Sequence, residues 1–260
     1  INIIGNHPNY HVGFDAPLTS DIDTLARNFS CWIKSCSTSE TLAQDGADAY
    51  TASLRQSTGT TGQIATLIMG ADAAWGDSRG PVTPNPEPVR ATANESAVIT
   101  VANILSKGGK TAMLLENQGA EQAAMEVASR IASKTGCRLL NGTFPARVDG
   151  GPGRVSVERL PYFPEQILAA LKGTEHLILV GGEIPASFFA YRGIPGQMVP
   201  EDCKVSRLSF IEEDSCEALQ RVAERVGAMQ SEVTRFQKAD IGKPTGELDH
   251  KSTIQAIAAT

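Results

Sequence analysis

Hydrophobic and polar positions alternate with two different periods between residues 95 and 182. Residues 111–116 and 176–182 are short apolar runs of the kind that forms buried parallel strands. Residues 119–135 carry small apolar side chains, most of them alanine, at the three- and four-residue spacing of an amphipathic helix. Gly136 follows where a helix C-cap is expected. This pattern predicts a Rossmann-like, doubly wound α/β domain with a parallel sheet.

The same alternation precedes this region. Apolar runs at residues 1–5, 29–33 and 63–69 predict three further strands, and residues 38–57 predict a helix. Ser20 is placed to cap a short helix that follows it.

Residues 6–15 predict a polar loop at the carboxyl end of the first strand, because they contain Pro8 and Gly13. Ligands of open α/β sheets bind outside the carboxyl ends of the strands. This loop is therefore a candidate functional segment.

A proline-rich stretch separates the two parts of the chain. Residues 80–88 contain four prolines, which disfavour both a helix and a central strand. Asn94 then caps a new helix, and Asp249 is placed to cap the last one. We predict a partial α/β domain at residues 1–80, a linker at 81–93, a central Rossmann-like domain at 94–231, and a polar segment at 232–260.

Composition is that of a soluble globular protein of 260 residues, with 41% hydrophobic residues, 20% charged residues and a net charge of −6. The negative charge argues against nucleic acid as a partner. No apolar run approaches the roughly 18 residues of a membrane span, which argues against a membrane partner. Five scattered cysteines without a CxxC motif favour reduced thiols and a cytoplasmic location.

Both ends of the sequence lie inside predicted elements. Residues 1–4 belong to an apolar strand, and residues 254–260 belong to a helical pattern. We therefore expect these 260 residues to be part of a longer polypeptide.

Three polar residues of the loop are spaced by four. His7, His11 and Asp15 would share one face of a helix and could bind a metal there, but Pro8 and Gly13 predict a loop instead. We predict no metal site, and the spacing leaves a ligand-binding or catalytic loop and a solvated polar loop as alternatives.

Two glycine clusters and one aromatic cluster are further candidates. Residues 150–153 and Gly181–Gly182 could approach a nucleotide closely, but neither has the GxGxxG fingerprint. Residues 188–191 contain three aromatic side chains, which could be a stacking platform, an oligomer contact or a plug over the end of the sheet.

Several segments together resemble the large, catalytic subunit of acetolactate synthase-like enzymes, which are thiamine diphosphate-dependent 2-oxo acid decarboxylases and carboligases. The resemblance rests on residues 4–8, 15–21 and 62–68, on Ala71 and Asp72, on the proline-rich linker and on residues 177–181. It covers essentially the whole chain.

The resemblance implies three α/β domains in such a subunit. Residues 1–80 would be the C-terminal half of the pyrimidine-binding domain, 94–231 the central domain, and 232–260 a linker and the start of the pyrophosphate-binding domain. The cofactors would be thiamine diphosphate and Mg²⁺, the substrate a 2-oxo acid, and the assembly a homodimer or homotetramer. The glutamate that activates the cofactor and the segment that binds diphosphate would lie outside residues 1–260. These residues alone are therefore expected to be inactive and to need the remainder of the enzyme.

Differences from acetolactate synthases select the candidate site residues. Acetolactate synthases carry the sequences Gly-Gln-Val and Phe-Gln-Glu near the active site. The matching positions in this chain are residues 5–7, Gly-Asn-His, and residues 17–19, Pro-Leu-Thr. Related decarboxylases use active-site histidines for proton transfer.

On this resemblance, His7 and His11 are the candidate catalytic residues and Asn6 is a candidate cofactor contact. Asp15 and Leu18 are candidate substrate contacts. The arginine-rich FAD motif of acetolactate synthases has no counterpart at residues 181–189, so FAD is not expected. The alternatives are a stand-alone Rossmann-like nucleotide-binding module and a scaffolding domain.

Overall fold

The computed structural model describes residues 1–54, 63–145, 147–237, 242–247 and 249–259. The chain forms two compact units: residues 1–91 with 211–213, and residues 92–210 with 214–260. All paired strands described in the two sheets run parallel, which confirms the predicted α/β fold class. No described helix has the length and apolar character needed to cross a bilayer.

The first unit holds a three-stranded sheet in the order β1-β3-β2. Its elements are β1 (Asn2–Asn6), α1 (Asn9–Val12), α2 (Ile22–Arg27), β2 (Trp32–Cys36), α3 (Leu42–Leu54), β3 (Ala65–Gly70) and α4 (Ala71–Trp75). The central strand β3 is almost entirely buried, whereas β1 pairs only with β3 among the described strands and exposes Ile3.

The second unit holds a five-stranded sheet in the order β6-β5-β4-β7-β8. Its elements are α5 (Glu95–Lys107), β4 (Thr111–Leu115), α6 (Gln122–Thr135), β5 (Arg138–Asn141), β6 (Glu158–Arg159), α7 (Pro164–Leu171), β7 (His176–Val180), β8 (Lys204–Ser209), α8 (Ser215–Val226) and α9 (His250–Ala258).

Strand β4 explains why the second unit has two cores. Met113 and Leu115 pack into one cluster of buried residues, while Ala112 and Leu114 pack into another. Side chains of a strand alternate between faces, so a wholly apolar strand must be covered on both sides. Strand β4 also has β5 on one side and β7 on the other, which makes it the point where the strand order reverses.

Several local predictions were wrong. The short helix after Ser20 is capped by Asp21, whose carboxylate accepts a 3.1 Å hydrogen bond from the Thr24 N–H. The strand predicted at residues 29–33 is β2, three residues later. The helix predicted at 119–135 begins as a 3-10 turn, Asn117–Ala120, and becomes α-helical only at Gln122. Strands β6 and β8 were not predicted, because they are short or lie at an edge and lack an apolar run.

Other predictions were confirmed or lie partly outside the described residues. Asn94 and Asp249 cap α5 and α9 through their side chains, and Gly136 ends α6 with a φ of 75°. The helix predicted at 38–57 is described up to Leu54, and residues 55–57 lie outside the described residues.

Candidate functional site

An open cleft lies at the carboxyl end of β1, within the first unit. Its volume is about 930 Å³, a size typical of small-molecule sites. The described residues that line it are Ile4, Gly5, Asn6, His7, Pro8, Leu18, Ser20, Ile22, Leu25, Ala26, Phe29, Ala71 and Trp75. Apart from His7, these residues carry no ionisable side chain. The cleft is thus a mainly apolar surface with one imidazole, one amide and one hydroxyl among its described lining residues.

His7 and Asn6 are held by hydrogen bonds beside this cleft. The backbone N–H of His7 donates to the Asn6 Oδ1 over 2.8 Å, and the His7 Nε2 lies 3.1 Å from the Pro17 carbonyl oxygen. A carbonyl oxygen only accepts, so Nε2 is the protonated nitrogen in this hydrogen bond. Neutral His7 therefore keeps its lone pair on Nδ1.

His11 lies on a helical turn, Asn9–Val12, which brings its ring next to that of His7. The prediction of a loop throughout residues 6–15 was therefore wrong. Asn9–Val12 forms one turn of helix, because Pro8 is tolerated at a helix N-terminus, where its missing N–H needs no partner. The His7 and His11 rings lie 5.5 Å apart in an edge-on arrangement. His11 is not among the described residues that line the cleft.

Asp15 and Leu18 are placed differently from each other. Both have left-handed backbone angles, with φ of 50° and 73°. Asp15 is exposed and is not among the described lining residues, whereas Leu18 lines the cleft and is 95% exposed. The structure therefore brings Asn6, His7 and Leu18 together, with His11 beside His7 and Asp15 outside.

Leu18 occupies a turn position that normally suits glycine or asparagine. The Thr19 N–H donates to the Ala16 carbonyl oxygen over 3.0 Å, which places Pro17 and Leu18 at the corners of a β-turn. A positive φ at the second corner is typical of a type II turn, in which leucine is strained. A strained, exposed leucine beside a cleft is typical of a functional position rather than a structural one.

A second crevice lies at the carboxyl ends of β4, β5 and β7, where the strand order reverses. The Glu116 side chain fills it, because a Cβ on either Gly142 or Gly182 would overlap the Glu116 carboxyl group. The Glu183 N–H donates to the Glu116 Oε2 over 3.3 Å. The sequence indicated Gly182 as a candidate but not Glu116. Gly182 follows β7 and Glu116 follows β4, so no local pattern shows that the two are in contact.

Burial dominates the electrostatics of this crevice. Desolvation raises the pKa of the Glu116 carboxyl, and the neighbouring Glu183 charge acts in the same direction, while the Glu183 N–H opposes both. Glu183 itself is paired with Arg207, whose nitrogens lie 2.6 and 3.1 Å from its carboxylate.

We expect Glu116→Gln to gain stability relative to the wild type as the pH rises from below 4.5 through the folded pKa of Glu116. The pKa of Glu116 is above its ordinary value of 4.5, so the folded state binds this proton more tightly than the unfolded state. The contribution of Glu116 to stability is therefore fully present below that value and is lost as the pH rises through the folded pKa. Melting temperatures of both proteins across this range measure the effect, and a difference that stays constant would contradict it.

The described residues fit only part of the cofactors that the resemblance implies, thiamine diphosphate and Mg²⁺. Within the described part of the chain, no group of three or more His, Cys, Asp or Glu side chains is arranged to hold a metal ion. The cleft beside His7 suits an apolar or aromatic group, but its described lining offers no cation for a diphosphate. These residues therefore do not fit the diphosphate and Mg²⁺ portion of the cofactor.

An aromatic surface lies at the carboxyl ends of β5, β6 and β7. It consists of Phe144, Tyr162, Phe163, Phe188 and Phe189, whose neighbouring rings have centroids 4.7–6.0 Å apart. Phe188 and Phe189 are 61% and 56% exposed, so residues 188–191 do not form a buried plug.

Comparison with known proteins extends the resemblance. A curated relative from Mycobacterium tuberculosis, "Putative acetolactate synthase large subunit IlvX", is 36% identical over 258 residues, which is 99% of this chain and 48% of the relative. The chain thus spans about half the length of the curated relative it matches. No protein-family model matches this chain.

Two solved structures share the fold. The "putative thiamin diphosphate-dependent enzyme" from Mycobacterium smegmatis is 16% identical with a TM-score of 0.66, over 91% of this chain and 48% of that one. The thiamine diphosphate-dependent 4-hydroxybenzoylformate decarboxylase of Rhodococcus jostii RHA1 is 14% identical with a TM-score of 0.63, over 95% and 48%. The predicted resemblance is therefore confirmed: along essentially its whole length, this chain is similar to about half of an acetolactate synthase large subunit-like protein.

Proposed function

We propose that residues 1–260 are part of a thiamine diphosphate-dependent enzyme that acts on 2-oxo acids by decarboxylation, carboligation or both. The observation that carries this proposal is the cleft at the carboxyl end of β1, where His7 and Asn6 border an apolar surface. It is supported by the similarity to the acetolactate synthase-like relative over 99% of the chain.

In this proposal the chain's own residues bind and orient a reactant. Thiamine diphosphate, held with Mg²⁺ by parts of the enzyme outside these residues, would supply the carbon that adds to a 2-oxo acid. Leu18 and Trp75 offer apolar surface to a reactant in the cleft, and Asn6 fixes the backbone of His7. With its proton on Nε2, neutral His7 can accept a proton on Nδ1 and return it.

Carbon dioxide release tests the proposal. The complete enzyme that contains residues 1–260, supplied with thiamine diphosphate and Mg²⁺, is expected to release carbon dioxide from pyruvate or another member of a 2-oxo acid panel. Absence of both cofactor binding and turnover in the complete enzyme would refute it. The 260-residue chain alone is expected to show no turnover, and measurable turnover would refute that part.

We also propose that the second unit holds no FAD. The Glu116 side chain occupies the crevice at the point where the strand order reverses, so a dinucleotide could not enter there without displacing it. A flavin titration of the 260-residue chain, followed by fluorescence, is expected to show no saturable binding. Saturable binding that is lost when the crevice is changed by Gly182→Val would contradict this proposal.

The assembly is proposed to be a homodimer or homotetramer in the cytoplasm. The exposed aromatic surface around Phe188 supports self-association, because contiguous exposed apolar patches commonly mark contacts. Analytical ultracentrifugation of the complete enzyme measures its mass in solution, and a monomer at micromolar concentration would contradict the proposal.

We expect Leu18→Asn to stabilise the 260-residue chain slightly and to impair substrate binding in the complete enzyme. Asparagine tolerates the left-handed angle of this position, which costs leucine about 1 kcal/mol, and the exposed leucine side chain loses no burial. Urea unfolding and KM measure the two effects. A destabilised chain would contradict the strain at Leu18, and an unchanged KM would contradict its contact with substrate.

A further inference from the structure

The helical turn that contains His11 is hydrogen-bonded to the rest of the first unit through Asn9. Its backbone N–H donates to the Asp72 Oδ2 over 3.1 Å, and its side-chain amide donates to the two Asp72 oxygens over 3.3 and 3.2 Å. The same amide donates to the Ser37 carbonyl oxygen over 3.0 Å. Asn9 therefore links the carboxyl ends of all three strands of the first unit: it follows β1, Ser37 follows β2, and Asp72 follows β3.

The Asp72 side chain leaves no room for a larger residue at position 70. Gly70 has an ordinary φ of −63°, so an alanine there would not strain the backbone. Its Cβ would lie 2.7 Å from the Asp72 Oδ1 and 3.4 Å from both the Asn9 Nδ2 and the His7 carbonyl oxygen. The bare backbone of Gly70 thus allows Asp72, Asn9 and His7 to approach one another.

We propose that Asp72 is a positioning residue that holds Asn9, and through Asn9 the segment that includes His7, so that the His7 imidazole stays hydrogen-bonded to Pro17 at the edge of the cleft. His7 and Asn9 are separated only by Pro8, which is buried and has a restricted φ. A displacement of Asn9 is therefore transmitted to His7 rather than absorbed between them. Asp72 does not line the cleft among the described residues, so its effect on a bound reactant passes through His7.

The kinetic consequence rests on the proposed function, whereas the positioning itself does not. A misplacement of a reacting group by about 1 Å can cost about a hundredfold in rate. We therefore expect Asp72→Ala to lower kcat of the complete enzyme about a hundredfold while KM changes less, because Asp72 is not among the described residues that line the cleft.

Histidine ring resonances of the 260-residue chain test the positioning. In the wild type, neutral His7 is expected to be almost exclusively the Nε2-protonated tautomer, because it donates to Pro17. Asp72→Ala and Gly70→Ala are expected to shift His7 towards the mixture of a free imidazole, in which the Nδ1-protonated form is a minor component. Asp72→Asn is expected to shift it little, because it retains an oxygen that can accept the Asn9 N–H. The matched control is Gly13→Ala, which has an ordinary φ of −65° and open space around its Cβ.

The two measurements separate the possible failures. An unchanged His7 tautomer in Asp72→Ala would overturn the positioning role, whatever the enzyme does. If the His7 tautomer shifts in Asp72→Ala and kcat of the complete enzyme is unchanged, the positioning of His7 by Asp72 stands and its kinetic consequence is overturned. If the wild-type complete enzyme has no turnover of any 2-oxo acid, the proposed function fails, and the tautomer measurement still decides the positioning.

Discussion

Replacing Gly181 by alanine is expected to destabilise the second unit by about 3 kcal/mol. Gly181 follows β7 with a φ of 70°, an angle that is costly for alanine. In addition, its Cβ would lie 2.7 Å from the Glu116 carbonyl oxygen and 2.8 Å from the Ser215 Oγ. The first of these atoms belongs to the backbone that leaves β4, so it cannot move away without disturbing the centre of the sheet.

Gly227→Ala is the matched control for this prediction. Gly227 ends α8 in the same unit with a φ of 69°, but no atom lies within 4 Å of the position its Cβ would take. We expect a cost of about 1 kcal/mol, from the backbone angle alone. Urea unfolding of both variants measures the difference. Equal costs would show that the close approach of β7 to Glu116 contributes nothing.

Replacing His7 by alanine is expected to lower kcat of the complete enzyme by about a hundredfold or more, the usual range for loss of a proton-transferring group. His7 lines the cleft and holds its Nε2 proton against Pro17, so its other nitrogen is available for a reactant. The lost hydrogen bond is worth about 1 kcal/mol, so the variant should remain folded.

Two other histidines provide the comparison. His11→Ala is expected to lower kcat less than His7→Ala, because His11 contacts the His7 ring but is not among the described lining residues. His250→Ala, an exposed change in α9, should leave kcat unchanged. Equal kinetics for the wild type and His7→Ala would remove His7 from the mechanism, and a larger effect of His11→Ala would reverse the roles assigned to the two.

Local patterns were sufficient for much of the fold. The apolar run at Thr111–Leu115 predicted a strand buried on both faces, and Asn94, Gly136 and Asp249 predicted helix ends, because capping depends on residues within one turn. Strand β8 was missed because its residues pass from exposed at its start to buried at its end without a two-residue alternation, and its pairing with β7 was not visible locally.

The candidate site shows the same division. By itself, the sequence predicted α/β architecture and directed attention to residues 6–15, because the carboxyl ends of parallel strands meet at one edge of a sheet. The resemblance to acetolactate synthases added Leu18. Only the tertiary structure decided that Asn6, His7 and Leu18 border one cleft while Asp15 does not. It also decided that Asp72 fastens Asn9, 63 residues earlier, and that Glu116 fills the crevice beside Gly142 and Gly182. Such contacts depend on strand order and on the space between elements, which no local pattern of residues records.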